Sequence, residues 1–273
     1  MGKIIAFANQ KGGVGKTTTC VNVAAYMAAM DKKVLLIDMD PQGNATSGVG
    51  IEKNNELKTL YNVIDKEVMV DEVILPTCIY GLDVIPSTVD LAGAEIDLVQ
   101  IPSREHVVKK AIDRIKDKYD FILIDCPPSL GLLTVNALTA ADSVIIPIQC
   151  EFFALEGLTQ LMNTIRLIIH HLNPQLKIEG VVLTMKDNRS NLVAQVSEEV
   201  HKFFSTKVYN TFIPRNIRLA EAPSHGLPIL LYDTSSKGAN AYQSLAEEIL
   251  DRNKVSYKKI TKNTKIKLRS ELQ

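Results

Sequence analysis

Two lysines five residues apart, Lys11 and Lys16, flank three glycines in the stretch NQKGGVGKTTTC (residues 9–20). Gly12, Gly13 and Gly15 leave backbone N–H groups free to converge on phosphate oxygens, with Val14 the one larger side chain among them. A helix starting at the end of this loop adds the partial positive charge of its N-terminus at the same point. Lys16 is then placed to reach the β- and γ-phosphates of a nucleotide, and the Thr17 hydroxyl, with Thr18 beside it, to ligate Mg²⁺. One loop presents only one lysine along its own triphosphate. Lys11 precedes the glycines, so its side chain leaves on the far side. There it meets either an acidic neighbour in the same chain or a nucleotide in another subunit.

Three carboxylates complete the candidate chemistry. Asp38 and Asp40 close the apolar run of VLLIDMDPQGNAT (34–46), and Asp125 closes that of FILIDCPPSLG (121–131). A carboxylate at the end of a buried strand carries a desolvation penalty unless it meets a cation, and Mg²⁺ supplies one.

These residues need strands that end together. Apolar runs bounded by turn residues recur at 3–9, 33–40, 82–87, 120–127, 143–149, 178–185, 207–214 and 228–233. Their near-continuous apolar character suits strands covered on both faces, as in a parallel sheet. Between them the spacing predicts helices, most clearly over 155–172, 190–204 and 236–252. Strand and helix alternating this often predicts an α/β fold with a doubly wound, mostly parallel sheet and helices on both faces. Such a sheet binds ligands at the carboxyl ends of its strands.

The general phosphate-loop pattern G-x-x-x-x-G-K-[ST] fails here, because it needs glycine where this chain has Gln10. KGGVGKTT matches the narrower K-G-G-x-G-K-[ST], and with it the chain resembles the ParA/MinD family of ATPases, which carry this deviant Walker A loop on a P-loop NTPase fold. Residues 34–46 are similar to the second motif of that family and 121–131 to its Walker B strand. The resemblance implies ATP and Mg²⁺ as ligands, with Thr17, Asp38 and Asp125 at the metal and Asp125 acting through water. It implies an ATP-bound homodimer with both nucleotides sandwiched between the subunits. Lys11 then contacts the partner's phosphates as an arginine finger does, and Lys11, Lys16 and Asp40 form the catalytic set, Asp40 positioning the water. Cys126 stands where many fast ATPases carry glutamate, so slow turnover suited to a switch is expected.

ALEGLTQL (154–161), GVVLTMKDNRSN (180–191) and FIPRNIRLAEAPSHGLPILLYD (212–233) resemble the Soj-like, chromosome-partitioning branch. For that branch the resemblance implies nonspecific double-stranded DNA binding, with Arg189 and Arg218 as contacts, and a ParB-type (Spo0J-type) centromere-binding partner that stimulates hydrolysis. Met185, Pro214, Arg215 and Asn216 are the expected adenine-side residues of the ATP site. The expected setting is the cytoplasm, on the nucleoid. The phosphate loop begins within a dozen residues of Met1, so the N-terminal helix-turn-helix domain of long plasmid ParA proteins is not expected.

Net charge is zero but uneven: residues 251–273 hold eight Lys/Arg against two acids, whereas the first 250 residues hold 23 against 29. That asymmetry hints at a polyanion. The expected organisation is an ATPase domain over 1–252 and a basic tail over 253–273, which strengthens DNA binding, contacts a partner or stays disordered. A membrane anchor is disfavoured because Val255, Tyr257, Ile260, Ile266, Leu268 and Leu272 form no single helical stripe. The four cysteines show no CxxC pair, and the five histidines no ligand spacing with acids or cysteines.

Overall fold

The computed structural model describes residues 2–151, 154–186, 191–261 and 264–271. The first half of the chain forms β1 (Lys3–Phe7), α1 (Lys16–Ala29), β2 (Val34–Asp38), α2 (Asn44–Gly48), α3 (Leu60–Ile64), β3 (Leu75–Pro76), β4 (Leu82–Ile85), α4 (Leu91–Asp97) and α5 (Val107–Ile112). The second half forms β5 (Phe121–Asp125), α6 (Leu132–Ala140), β6 (Ser143–Gln149), α7 (Ala154–His171), β7 (Lys177–Thr184), α8 (Asn191–Phe204), α9 (Ile217–Glu221), α10 (Ile229–Tyr232) and α11 (Lys237–Arg252). The strands make one sheet in the order β3-β4-β2-β5-β1-β6-β7, parallel except for the short β3 at one edge.

Alternation along the strands divides the apolar residues between two faces. Ile4, Ala6, Leu35, Ile37, Ile122 and Ile124 pack toward α4 to α8, whereas Ile5, Phe7, Val34, Leu36, Phe121 and Leu123 pack toward α1, α10 and α11. Both faces are buried, which is why the strands read as unbroken apolar runs. The pairing register sets Phe7 opposite Asp125 and Asp125 opposite Asp38. The carboxyl ends of β1, β5 and β2 are therefore level, and their loops converge.

Two expected strands differ. Residues 207–214 run beside β7 without forming a continuous strand: isolated bridges pair Val208 with Val181 and Pro214 with Lys186, and the Tyr209 and Ile213 N–H groups donate to the Val181 and Leu183 carbonyls at 2.8 Å each. The N–H groups of Asn210 and Thr211 instead donate to the Glu248 carboxylate at 2.9 Å each, and proline has no N–H to give. Residues 228–233 contain α10 rather than a strand. The Ile229 N–H bonds the Asn22 side chain at 2.8 Å, and Ile229 and Leu230 are buried against α1. A four-residue apolar run does not by itself distinguish the two states.

The basic segment after Arg252 lies along the domain. Val255, Tyr257, Ile260 and Ile266 are half-buried against the α1/α11 core, and the Lys258 N–H reaches the Met30 carbonyl. The Arg269 N–H donates to the Cys78 carbonyl at 3.0 Å, while its guanidinium pairs with Asp83. Among the described residues, no helix is long and apolar enough to cross a membrane.

Candidate nucleotide site

The loop between Phe7 and Lys16 turns through left-handed conformations at Gly13 (φ 74°) and Gly15 (φ 83°), which only glycine adopts without strain. No atom lies within 4 Å of where a Cβ on Gly13 would be, so the cradle is open. The Thr184 hydroxyl, at the end of β7, donates to the Val14 carbonyl at 2.8 Å and fixes the loop from the other side. Lys16 is 6% exposed, and its Nζ donates to the Lys11 carbonyl at 3.2 Å across the loop. Burial lowers its pKa, opposed by the charges of Asp125, Cys126 and Asp40.

Lys11 points elsewhere. Its Nζ lies 2.6 Å from Glu151 just after β6, and Gln149 donates to the other Glu151 oxygen. Of the two partners expected for this lysine, the acidic neighbour occupies it within the single chain.

Asp38 and Asp125 are fully buried and stand opposite each other, yet they are treated differently. Asp38 accepts three hydrogen bonds: from the Asp40 N–H at 3.1 Å, the Thr46 N–H at 2.8 Å and the Thr46 hydroxyl at 2.7 Å. Burial still pushes its pKa up to about 6, the Thr46 and Asp40 bonds offsetting part of the shift. Neither oxygen of Asp125 finds a hydrogen-bond donor at normal geometry. Its pKa is raised well above the carboxylate range by burial and by Asp38, and the nearby Thr17 hydroxyl and Lys16 favour the charged form without overcoming this. An orphaned buried carboxylate beside Thr17, at the mouth of a phosphate cradle, fits a cation held by Thr17 and nucleotide phosphates. Among the described residues no cluster of three or more His, Cys, Asp or Glu side chains is built to hold a metal. Mg²⁺ does not require one, since it keeps water and phosphate as most of its ligands.

Asp40 is 7% exposed, with one oxygen accepting the Gln42 N–H at 3.0 Å. Ser87, just beyond β4, supports it: the Ser87 hydroxyl donates to the Asp40 carbonyl at 2.8 Å, and the Ser87 N–H to the Thr46 hydroxyl at 2.9 Å. Sequence reasoning did not find Thr46, Ser87, Thr184 or Glu151. Thr46 and Thr184 stand inside quoted motifs and Ser87 ends an expected strand, but only the fold brings Ser87, Thr184 and Glu151 to the site.

Thr17 and Thr18 line a cleft of about 450 Å³ with Asn22, Asn44, Ser47 and Pro223. Met185 has φ 50° at the end of β7, beside Gly15, and Lys186 N–H bonds the Ile213 carbonyl, drawing Pro214 to the same edge. Arg215 is exposed, and Asn216 caps α9 by accepting the Arg218 N–H. Arg218 is exposed and paired with Glu221 at 2.9 Å and Asp233 at 3.5 Å. Arg189 lies outside the described residues.

Level strand ends, a glycine cradle under a helix N-terminus, a buried lysine and an unpartnered aspartate define a phosphate-loop nucleotide-binding protein. Residues 2–178 match a family model described as an AAA domain. The chain is 61% identical over 249 residues to the sporulation initiation inhibitor protein Soj of Bacillus subtilis, covering 91% of this chain and 98% of that one. It is 52% identical over 252 residues to the chromosome partitioning protein ParA of Myxococcus xanthus, covering 92% and 89%. Among solved structures it resembles cobyrinic acid a,c-diamide synthase from Mycobacterium smegmatis with bound ATP analogue and magnesium, with TM-score 0.82, 34% identity and coverage of 96% and 100%. The chain belongs to the ParA/MinD family of deviant phosphate-loop ATPases, in its Soj-like branch. It is an ATPase whose ligands are ATP and Mg²⁺.

Proposed function

We propose that this chain is a DNA-partitioning switch in which an ATP-bound sandwich dimer binds DNA nonspecifically and hydrolysis, stimulated by a ParB-type partner, releases it. The observation that carries this reading is the direction of Lys11. A lysine inside a phosphate-loop signature that turns from its own cradle to a half-exposed glutamate is free to serve a second subunit. Exposed ion pairs contribute only about 0–1 kcal/mol, so exchanging Glu151 for a partner's phosphate costs little. The exposed Gly12 beside it leaves room for two loops to approach.

In the reaction, water attacks the γ-phosphorus, the bond to the β,γ-bridging oxygen breaks, and ADP and phosphate leave. Mg²⁺, when bound, neutralises charge between the β- and γ-phosphates. Lys16 and the loop amides hold the phosphates from one side, and Lys11 of a second copy stabilises the transferred group from the other. Asp40 orients the water through its second oxygen. Cys126 follows Asp125 where a carboxylate base would stand, and its buried, upward-shifted thiol offers no base, consistent with slow turnover. Thr17 and Asp125 would hold Mg²⁺, Asp125 through water. Met185, Pro214, Arg215 and Asn216 form the adenine side.

Arg218, with Arg189, makes the DNA contacts, exchanging Glu221 and Asp233 for phosphates. The names Soj and ParA, borne by relatives above 50% identity, support partitioning over the chemistry named for the 34%-identical synthase. The ATPase domain spans 1–252, and the basic segment 253–273 is an appendage that follows it.

The test is binding to a random-sequence duplex with ATP and with ADP, for the natural chain and Lys11→Ala over a salt series. Tight, salt-sensitive binding is expected only for the natural chain with ATP. Equal binding with ADP, or an unchanged hydrolysis rate in Lys11→Ala, overturns the sandwich switch.

A further inference from the structure

We infer that α4 and the turns on either side of it form the docking surface for the stimulating partner, and that this surface takes a basic, amphipathic segment; the inference rests on the function proposed above. From Glu67 to Ser103 the chain carries seven acidic residues and no lysine or arginine. Asp71, Glu72 and Asp83 find cations elsewhere in the fold, in Lys118, Lys58 and Arg269. Among the described residues, Asp90, Glu95 and Asp97 do not. Asp90 accepts only the Thr88 hydroxyl and Asp97 only the Tyr61 hydroxyl, while a buried oxygen of Glu95 has no partner.

Between these acids runs an apolar stripe turned outward. Val89 and Ile96 are each 74% exposed, Val99 is 52% exposed, and Ala92 is exposed between them. Spacings of three, four and three residues place the four on one face of a helical segment. The opposite face, Leu91, Ala94 and Leu98, is wholly buried in the core, so the outer stripe is not needed to hold α4 in place. A contiguous exposed apolar stripe rimmed by polar groups marks an interaction site. The uncompensated carboxylates select a cationic partner and accelerate its encounter. A second copy of the same surface would bring like charges together, which argues against a symmetric contact through this face.

The surface is wired to the chemistry at both ends. At its start, Ser87 holds the Asp40 carbonyl and the Thr46 hydroxyl that in turn bonds Asp38. Near its end, Glu95 abuts Gly131 in the loop after Asp125, so closely that a Cβ on Gly131 would lie 2.2 Å from its Oε1. A segment that shifts α4 by leaning on Val89 and Ile96 therefore moves the loop that carries Asp40 and presses on the loop that follows Asp125. That is a direct route from partner binding to the position of the attacking water.

The experiment titrates the full chain, in ATP and Mg²⁺, with a synthetic peptide carrying the amino-terminal basic segment of the cognate ParB-type protein. It reads peptide affinity, stimulated and basal hydrolysis, and ATP-dependent dimerisation by sedimentation. The double substitution Ile96→Ser, Val99→Ser is expected to weaken affinity and stimulation about tenfold, as truncation of interface anchors does, with basal hydrolysis and dimerisation intact. Asp90→Lys, a change at an exposed position, is expected to weaken binding several-fold at low salt and little at high salt, with basal hydrolysis reporting that the chain is folded. Stimulation of both variants to the natural level overturns the docking surface and leaves the proposed function standing. Failure of the peptide to stimulate the natural chain overturns the partner reading itself. Loss of ATP-dependent dimerisation in the double variant assigns the stripe to a second copy and overturns the inference.

Discussion

Asp38 and Asp125 are neighbours across two parallel strands, equally buried, and have opposite hydrogen-bond environments. Asp38 is saturated by Thr46 and the Asp40 backbone, so its charge serves to hold the loop that carries Asp40. Asp125 is left without a donor, so its charge is available to a cation arriving with the nucleotide. Two aspartates that look alike at the ends of two apolar strands thus differ in surroundings: one is bonded to the loop that carries Asp40, the other has no hydrogen bond at normal geometry beside the phosphate loop.

The largest expected effect separates them directly. Asp125→Asn should lower Mg²⁺-dependent hydrolysis about 10- to 100-fold, the loss typical of a group acting on the metal through an intervening ligand. The same change should raise the melting temperature of the nucleotide-free protein, because it removes an ionisable group whose charged form burial and Asp38 disfavour. A lowered melting temperature would show that Asp125 is already satisfied without a cation.

Thr46→Val should act in the reverse direction. It deletes one of the three donors to Asp38 and the acceptor of the Ser87 N–H, and should destabilise the nucleotide-free chain by about 1–3 kcal/mol in chemical denaturation. Its effect on hydrolysis should come through the Asp40 loop as a change in kcat.

The pH dependence is smaller and signed. The Asp38 pKa is raised from 3.8 to about 6 in the folded state, so between those values the folded chain holds a proton that the unfolded chain has lost. Stability of the nucleotide-free protein from this group is therefore full below about pH 4 and declines as pH rises toward about 6. Asp38→Asn should flatten that decline in denaturation curves measured across the range.

The smallest effect concerns the exposed pair. Glu151→Gln should change monomer stability by less than about 1 kcal/mol and leave nucleotide affinity unchanged, since it frees Lys11 without touching the cradle. A large loss of nucleotide affinity would place Glu151 inside the binding site.

The sequence by itself determined the loop, the strands that flank it and the family. Three glycines between lysines have few physical uses, and apolar runs that must be covered on both faces announce a parallel sheet wherever they stand. The helices at 154–171, 191–204 and 237–252 fell close to their periodic pattern for the same reason, because one face of each must bury its apolar side chains. Tertiary structure decided whatever depends on who competes for a hydrogen bond or an apolar surface. Glu248 took the N–H groups of Asn210 and Thr211 and cost the segment at 207–214 its place as a strand. The α1/α11 core accepted Val255, Tyr257, Ile260 and Ile266, so that a segment legible only as a run of charge lies along the domain. Thr46 reached Asp38 eight residues away with two hydrogen bonds, whereas Asp125 has the Thr17 hydroxyl and Lys16 nearby but no hydrogen bond at normal geometry, a difference invisible in two strands that both end in aspartate. Local pattern fixes which residues must be buried, but the identity of each buried polar group's partner is a long-range property that the assembled fold alone supplies.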